Sequence, residues 1–146
     1  MPPLNNDSIF KSGNYTEQDP VLSTNYLKRA KKKDNFTIIS NNCWGGKIYN
    51  SYGMPYMSPT IGMVIYPKDF FLFMRKFNEY IKEQLVFIEP KESKWLNSYQ
   101  KCNVTYPIVK LNDIELHFLH YKSREEAKEK WTRRCERINK DCFFLI

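Results

Sequence analysis

No stretch of this sequence is apolar for long enough to cross a bilayer, and none near Met1 has the hydrophobic core of a secretion signal. Its four cysteines, Cys43, Cys102, Cys135 and Cys142, are therefore expected as reduced thiols of a cytoplasmic protein, not as a disulfide framework. Neither C-x-x-C nor H-x-x-x-H spacing occurs, so no metal site is expected. Glycine is scarce, at five residues, and no G-x-G-x-x-G or Walker loop follows the first strand-like run. No cofactor is expected on that ground. Histidine is scarcer still: His117 and His120 are the only two imidazoles.

Aromatic and basic residues are plentiful. The 146 residues are 42% hydrophobic and 16% aromatic, enough for one domain with a substantial core. The net charge is +7, and five positive charges fall between Lys28 and Lys33. Such a run is either a solvated segment or an attractor for an anionic membrane surface, which would place the protein at the membrane periphery. Specific nucleic-acid binding is not expected, because the aromatics sit at core spacing and do not interleave with the basic residues.

The first 34 residues are polar, rich in Asn, Ser and Pro, and read as a flexible lead-in with a short basic helix within Leu22–Lys33. Residues 35–146 read as one α/β domain, a layered sheet with flanking helices. Strands are expected at Phe36–Ser40, Thr60–Tyr66, Leu85–Glu89, Ile108–Leu111 and Ile114–Tyr121, the last two joined by Asn112-Asp113. A short helix is expected over Gly45–Tyr52, closed by Gly53. Lys91–Lys101 reads as irregular, with Trp95 and Tyr99 against the core. A long helix follows Pro67, with apolar residues from Phe70 to Leu85 at a 3.6-residue period and Asp69 favouring its positive start. Ser123 and Glu126 have the spacing of a capping box for a last helix running to about Asn139, with Ala127, Trp131 and Arg134 or Cys135 inward. Cys142–Ile146 is a final β-like run. An α/β fold seldom ends on an uncovered strand, so a short or incomplete version of a larger α/β domain is expected, with self-association through that strand.

The most informative segment is Ser40-Asn41-Asn42-Cys43-Trp44-Gly45-Gly46. It closes a β-branched run and opens a helix, the place where α/β proteins bind ligands. Cys43 is the one cysteine in a site-like context. The Gly45 and Gly46 amides could stabilise an oxyanion, Asn41 and Asn42 could donate to a sugar hydroxyl or carbonyl, and Trp44 could stack on a sugar ring. His120 stands at a strand end, where a catalytic base belongs. His117 lies deeper, three residues away and so on the opposite face of a strand. The residues leave open whether Cys43 is a nucleophile or a small buried cysteine filling space after a strand.

Four ordered blocks carry a family resemblance. They are Phe36 to Gly46, Ser58-Pro59-Thr60-Ile61-Gly62, Ile114 to Tyr121, and Glu126 to Trp131 continuing through Arg133-Arg134 to Arg137-Ile138-Asn139. From Asn35 to Ile146 the chain resembles the bacterial domain-of-unknown-function family 1919, whose members are often labelled capsular or exopolysaccharide biosynthesis proteins. The resemblance implies an α/β fold and a link to surface polysaccharide, and it supplies no reaction. The resulting expectation is a Cys-dependent group transferase (an acyltransferase) or a hydrolase. Its substrate would be a saccharide or activated sugar. Cys43 would be the nucleophile and His120 the base. Asn41, Asn42, Trp44, Gly45, Gly46 and His117 would be the binding groups. The alternatives are a saccharide-binding accessory protein without chemistry and an inactive remnant.

Overall fold

A computed structural model of the chain describes residues 35–99 and 103–146. The lead-in over residues 1–34, its basic run and Cys102 lie outside the described residues. Within them, strand β1 (Thr37–Ile39) leads to helix α1 (Trp44–Ser51), and a loop leads to helices α2 (Pro67–Arg75) and α3 (Phe77–Tyr80). Strand β2 (Val86–Ile88), a 3₁₀ turn (Pro90–Glu92), helix α4 (Lys94–Ser98), strands β3 (Ile108–Leu111) and β4 (Ile114–His117), helix α5 (Arg124–Cys135) and strand β5 (Phe143–Leu145) complete the order. Helices and strands alternate in an α/β arrangement.

β1 pairs in parallel with β5, placing Ile38 beside Phe144. β2, β3 and β4 form an antiparallel meander, with Asn112 at φ 57° in the β3–β4 turn. The segment around Val64 joins the two groups. Val64 exchanges both backbone hydrogen bonds with His117 of β4, at 2.8 and 3.0 Å, and the next amide, Ile65 N, donates to Asn41 O just beyond β1 at 3.0 Å. Backbone bonding thus runs from β2 through β4 and Val64 to β1 and β5.

β1 is buried on both faces, as its uninterrupted β-branched run requires. Successive side chains alternate sides. Ile38 joins Phe36, Ile48, Tyr49 and Ile61 on the α1 side, and Ile39 joins Phe73, Leu116, Phe118 and Trp131 in the larger core under α2 and α5. The Tyr49 hydroxyl accepts from Ile38 N and donates to Phe36 O, both at 2.9 Å, which fixes α1 across the strand.

Several elements differ from the sequence expectation. Thr60–Tyr66 is not a strand: residues 59–62 form a turn, and only Val64 makes a bridge. Local side-chain bonds displace the ladder there. Thr60 Oγ1 accepts from Ser40 N at 3.3 Å and pairs with Ser58 Oγ at 3.1 Å, and Gly62 takes φ 73°. The helix after Pro67 breaks at Lys76, φ −122°, so that Phe77 meets Phe143 edge-on and the Tyr80 hydroxyl bonds Asp113. Residues 94–98 are helical, with the Ser93 side chain accepting from Leu96 N at the helix start. Tyr99 is exposed. β4 stops at His117, where Phe118 N turns to Pro107 O. α5 ends at Cys135, because Asn139 is drawn to β1: its amide donates to Thr37 Oγ1 at 2.8 Å and its Nδ2 to Asn35 O. Ser123 caps α5 as expected, but the Glu126 carboxylate reaches Lys122 N instead of the Ser123 amide.

Strand β1 should therefore carry a disproportionate share of stability. Truncating Ile39 to Ala should cost about 2–5 kcal/mol, the range for a fully enclosed aliphatic side chain. Replacing exposed Leu145 by Ser should change stability by no more than about 0.5 kcal/mol. Urea denaturation of both variants checks this ordering.

Candidate functional site

The turn after β1 is tied together by its own side chains. The buried Ser40 hydroxyl donates to Asn42 O at 2.8 Å and accepts from Gly45 N at 3.3 Å, while Asn42 Oδ1 accepts from Trp44 N at 2.9 Å. Two of the amides that a helix start leaves open are satisfied this way. The Gly45 amide is thus engaged with Ser40, and Asn42 serves its own turn. A Cβ on Gly45 would stand 3.1 Å from Ser40 Oγ, and one on Gly46 3.3 Å from the Ile61 side chain. The two glycines let α1 lie directly against β1 and the Ile61 segment. Asn41 supplies its carbonyl to Ile65, and half-buried Trp44 has the Lys47 ammonium 5.6 Å from its ring centroid.

Cys43 is the residue just before α1, and its side chain lines a cavity of about 340 Å³. His120 lines the same cavity, along with Lys47, Tyr121, Lys130 and Arg134. The two residues assigned nucleophile and base from sequence are therefore brought to one place. His120 is held there by backbone, its amide donating to Gly62 O at 3.1 Å. Gly62 is required at that contact: besides its positive φ, a Cβ would stand 3.2 Å from the Tyr121 ring and 3.3 Å from His120 Cβ. Burial pushes the Cys43 thiol above its ordinary range, and the Lys47 ammonium pulls it partly back. Among the described residues the thiol makes no hydrogen bond.

Arg134 forms the floor opposite α1 and is 6% exposed. Its Nη1 donates to the Tyr121 hydroxyl at 2.6 Å and to Ile61 O at 3.4 Å, and the Tyr121 hydroxyl donates in turn to Ile61 O at 2.5 Å. The guanidinium lies 5.0 Å from the Tyr56 ring centroid. No described carboxylate pairs with it. Burying an ion costs several kcal/mol. A hydrogen bond to a charged donor returns about 1.5–3 kcal/mol and a desolvated cation–π contact about 2. The sum roughly breaks even, so Arg134 contributes little to stability. Its neighbour one turn back, Lys130, does have a partner: its Nζ bonds Glu126 Oε1 at 2.5 Å.

His117 is not in this cavity. It is 1% exposed and sits among Tyr66, Tyr106 and a buried acidic pair that sequence reading passed over. Glu115 accepts from Ser93 Oγ at 2.6 Å and Lys94 N at 2.8 Å, and its Oε2 lies 3.3 Å from His117 Nε2. Asp69, expected only to favour the start of α2, is fully buried and accepts from Lys94 Nζ, Trp95 Nε1 and Glu115 N, each at 2.8 Å. The network fastens α2 and α4 to β4. His117 Nδ1 is sealed without a partner. Burial lowers the His117 pKa, and Glu115 only partly offsets this. Among the described residues no cluster of potential ligands could hold a metal ion, and no helix is long and apolar enough to cross a membrane.

Residues 16–146 match the model of the family described as a domain of unknown function, DUF1919. The chain belongs to this family. The match starts at residue 16, upstream of Asn35, where the resemblance read from the sequence blocks begins. A protein of Haemophilus influenzae, described as uncharacterised, is 32% identical over 120 residues. That match covers 82% of this chain and 52% of the relative, so the chain spans about half the relative's length. Arg134 had a signal in the sequence that went unused. It continues the inward stripe of Ala127 and Trp131 on α5, and an arginine in an apolar stripe is a buried cation.

The lowered His117 pKa makes the fold acid-sensitive. Below about pH 6.5, the ordinary histidine value, the unfolded chain binds a proton that the folded chain refuses, so stability is complete above that pH and falls as the pH drops. The slope for this one group cannot exceed ~1.4 kcal/mol per pH unit. Urea midpoints of the wild type between pH 5 and 8 should show this fall, and His117→Gln should flatten it.

Proposed function

We propose that this protein is a Cys-dependent group transferase or hydrolase acting on a saccharide, in the assembly of bacterial surface polysaccharide. The observation that carries the reading is the shared cavity: Cys43 at the start of α1 and His120 beyond β4 line one open space. The polysaccharide role rests on the sequence resemblance to a family whose members are often labelled capsular or exopolysaccharide biosynthesis proteins. The basic run Lys28–Lys33 and reduced thiols fit a cytoplasmic protein at an anionic membrane face.

A resting thiol raised by burial is mostly protonated near neutral pH, and the thiolate is the nucleophile. The chemistry therefore needs a base at the moment of attack. His120 accepts the thiol proton as sulfur bonds to the electrophilic carbon. The leaving oxygen takes that proton back as it departs, and an acceptor hydroxyl or water then releases the group from sulfur by the same relay. Trp44 and Asn41 stand at the same strand–helix turn but outside the cavity lining, so a sugar seated there would meet them only at its rim.

The raised thiol favours a second reading, saccharide binding without chemistry. Iodoacetamide labelling with peptide mapping separates the two. The enzyme reading expects Cys43 to label ahead of Cys135, whose thiol burial pushes up to about 12, and expects His120→Ala to slow Cys43 alone. If Cys43 labels only on unfolding, the nucleophile is lost and the binding reading stands.

A further inference from the structure

We propose that the cavity beside Cys43 is a phosphate subsite, so that the saccharide this protein takes is a sugar phosphate, with Arg134 as its fixed anchor. The inference rests on the saccharide reading of the same cavity and adds the charge of the substrate. Three cationic side chains, Lys47, Lys130 and Arg134, line the cavity, and no aspartate or glutamate does. They converge from two helices. Cys43 and Lys47 are four residues apart at the start of α1, and Lys130 and Arg134 are four apart on α5, so each pair shares one helix face.

Arg134 carries most of the argument. A guanidinium keeps its charge when buried, and here it is 94% enclosed with no carboxylate pairing it among the described residues. Both of its hydrogen bonds leave from Nη1, to Tyr121 and Ile61 O. Nε and Nη2 have no protein acceptor among the described residues, yet neither is sealed, since His117 Nδ1 is the one described side-chain atom enclosed without a partner. Those donors therefore border open space, and the open space that Arg134 lines is the cavity. Tyr121 and the Ile61 carbonyl hold the fork in a fixed orientation, the arrangement that suits bidentate recognition of phosphate oxygens. Lys130 shares its charge with Glu126 and can turn to the ligand as a second donor.

Cavity size and charge narrow the ligand. About 340 Å³ lies at the small end of ligand pockets, enough for one phosphorylated monosaccharide and too little for an oligosaccharide. Three cations exceed what a single carboxylate needs and match a phosphate ester, which is dianionic at neutral pH. A free sugar phosphate and the sugar-phosphate end of a longer diphosphate carrier present the same chemistry. The phosphate next to the sugar would lie against α5 and leave the reacting carbon toward Cys43.

Calorimetric titration of the full chain with glucose 1-phosphate, inorganic phosphate, glucose and glucuronate, at constant ionic strength, tests this. UDP-glucose, in a parallel arm, tells a free sugar phosphate from a carrier end. Glucose 1-phosphate should bind at least about tenfold more tightly than glucose or glucuronate, and the affinity should fall with added salt. Lys130→Gln, at a half-buried surface position, should weaken glucose 1-phosphate about tenfold and leave glucose unchanged. Arg134→Lys should weaken it further. Equal affinity for glucose and glucose 1-phosphate, a preference for glucuronate, or an unchanged Lys130→Gln overturns the phosphate subsite. Glucose binding without a phosphate advantage refutes the subsite and keeps the saccharide reading. Phosphate-dependent binding with an inert Cys43 refutes the enzyme and keeps the subsite.

Discussion

The described structure depends on how one short, doubly buried strand is brought to an end. β1 has only three residues, yet it separates the two cores, with Ile38 on one side and Ile39 on the other. A strand enclosed on both faces must pass its chain back to solvent through a turn whose polar groups are all satisfied. Ser40 does most of this. Its amide donates to Thr60, and its hydroxyl bridges Asn42 O and Gly45 N. Asn41 O then takes Ile65 N, which connects β1 to the rest of the sheet. The helix start, the position of Cys43 and the link to β4 all follow from this one turn.

The opposite wall of the cavity is assembled with the same economy of parts. Gly62 takes a conformation that other residues rarely adopt, and its carbonyl holds His120. The preceding carbonyl, of Ile61, gathers the Tyr121 hydroxyl and the Arg134 guanidinium. Two adjacent carbonyls thus place an imidazole, a phenol and a cation from two further elements. The contrast with the Asp69–Glu115 network is instructive. There, buried carboxylates receive a full set of donors, and the result is a fastening between α2, α4 and β4. Around Arg134 no described carboxylate complements the charge, which is the arrangement the proposed phosphate subsite requires.

Much of the fold was legible because local signals agreed. The β-branched run at Thr37–Ile39, the Ser123 cap, the Asn112-Asp113 turn and the Pro67 helix start are each written in three or four neighbouring residues. The errors fall where distant partners decide. Thr60 leaves the strand pattern because Ser58 and Ser40 compete for it, and α5 stops early because Asn139 bonds residues more than a hundred positions away. At the site, Cys43 and His120 could be paired from sequence because both stand at the ends of strand-like runs. The inward stripe of α5 marks Arg134 as a buried cation, but its partners cannot be read from the stripe. Asp69 looks like an ordinary helix-start residue until its burial and partners are known. His117 is counted among the binding groups although strand alternation sets it on the face opposite His120, and the structure encloses it beside Glu115 instead.

The central claim is that one cavity holds both a reactive thiol and a site for a phosphorylated sugar. Alkylation of Cys43 with and without glucose 1-phosphate tests it most directly, with Cys135 as the internal reference. The account predicts that glucose 1-phosphate slows Cys43 labelling in a saturable way and leaves Cys135 untouched. Labelling of Cys43 at the same rate with saturating glucose 1-phosphate present would contradict it.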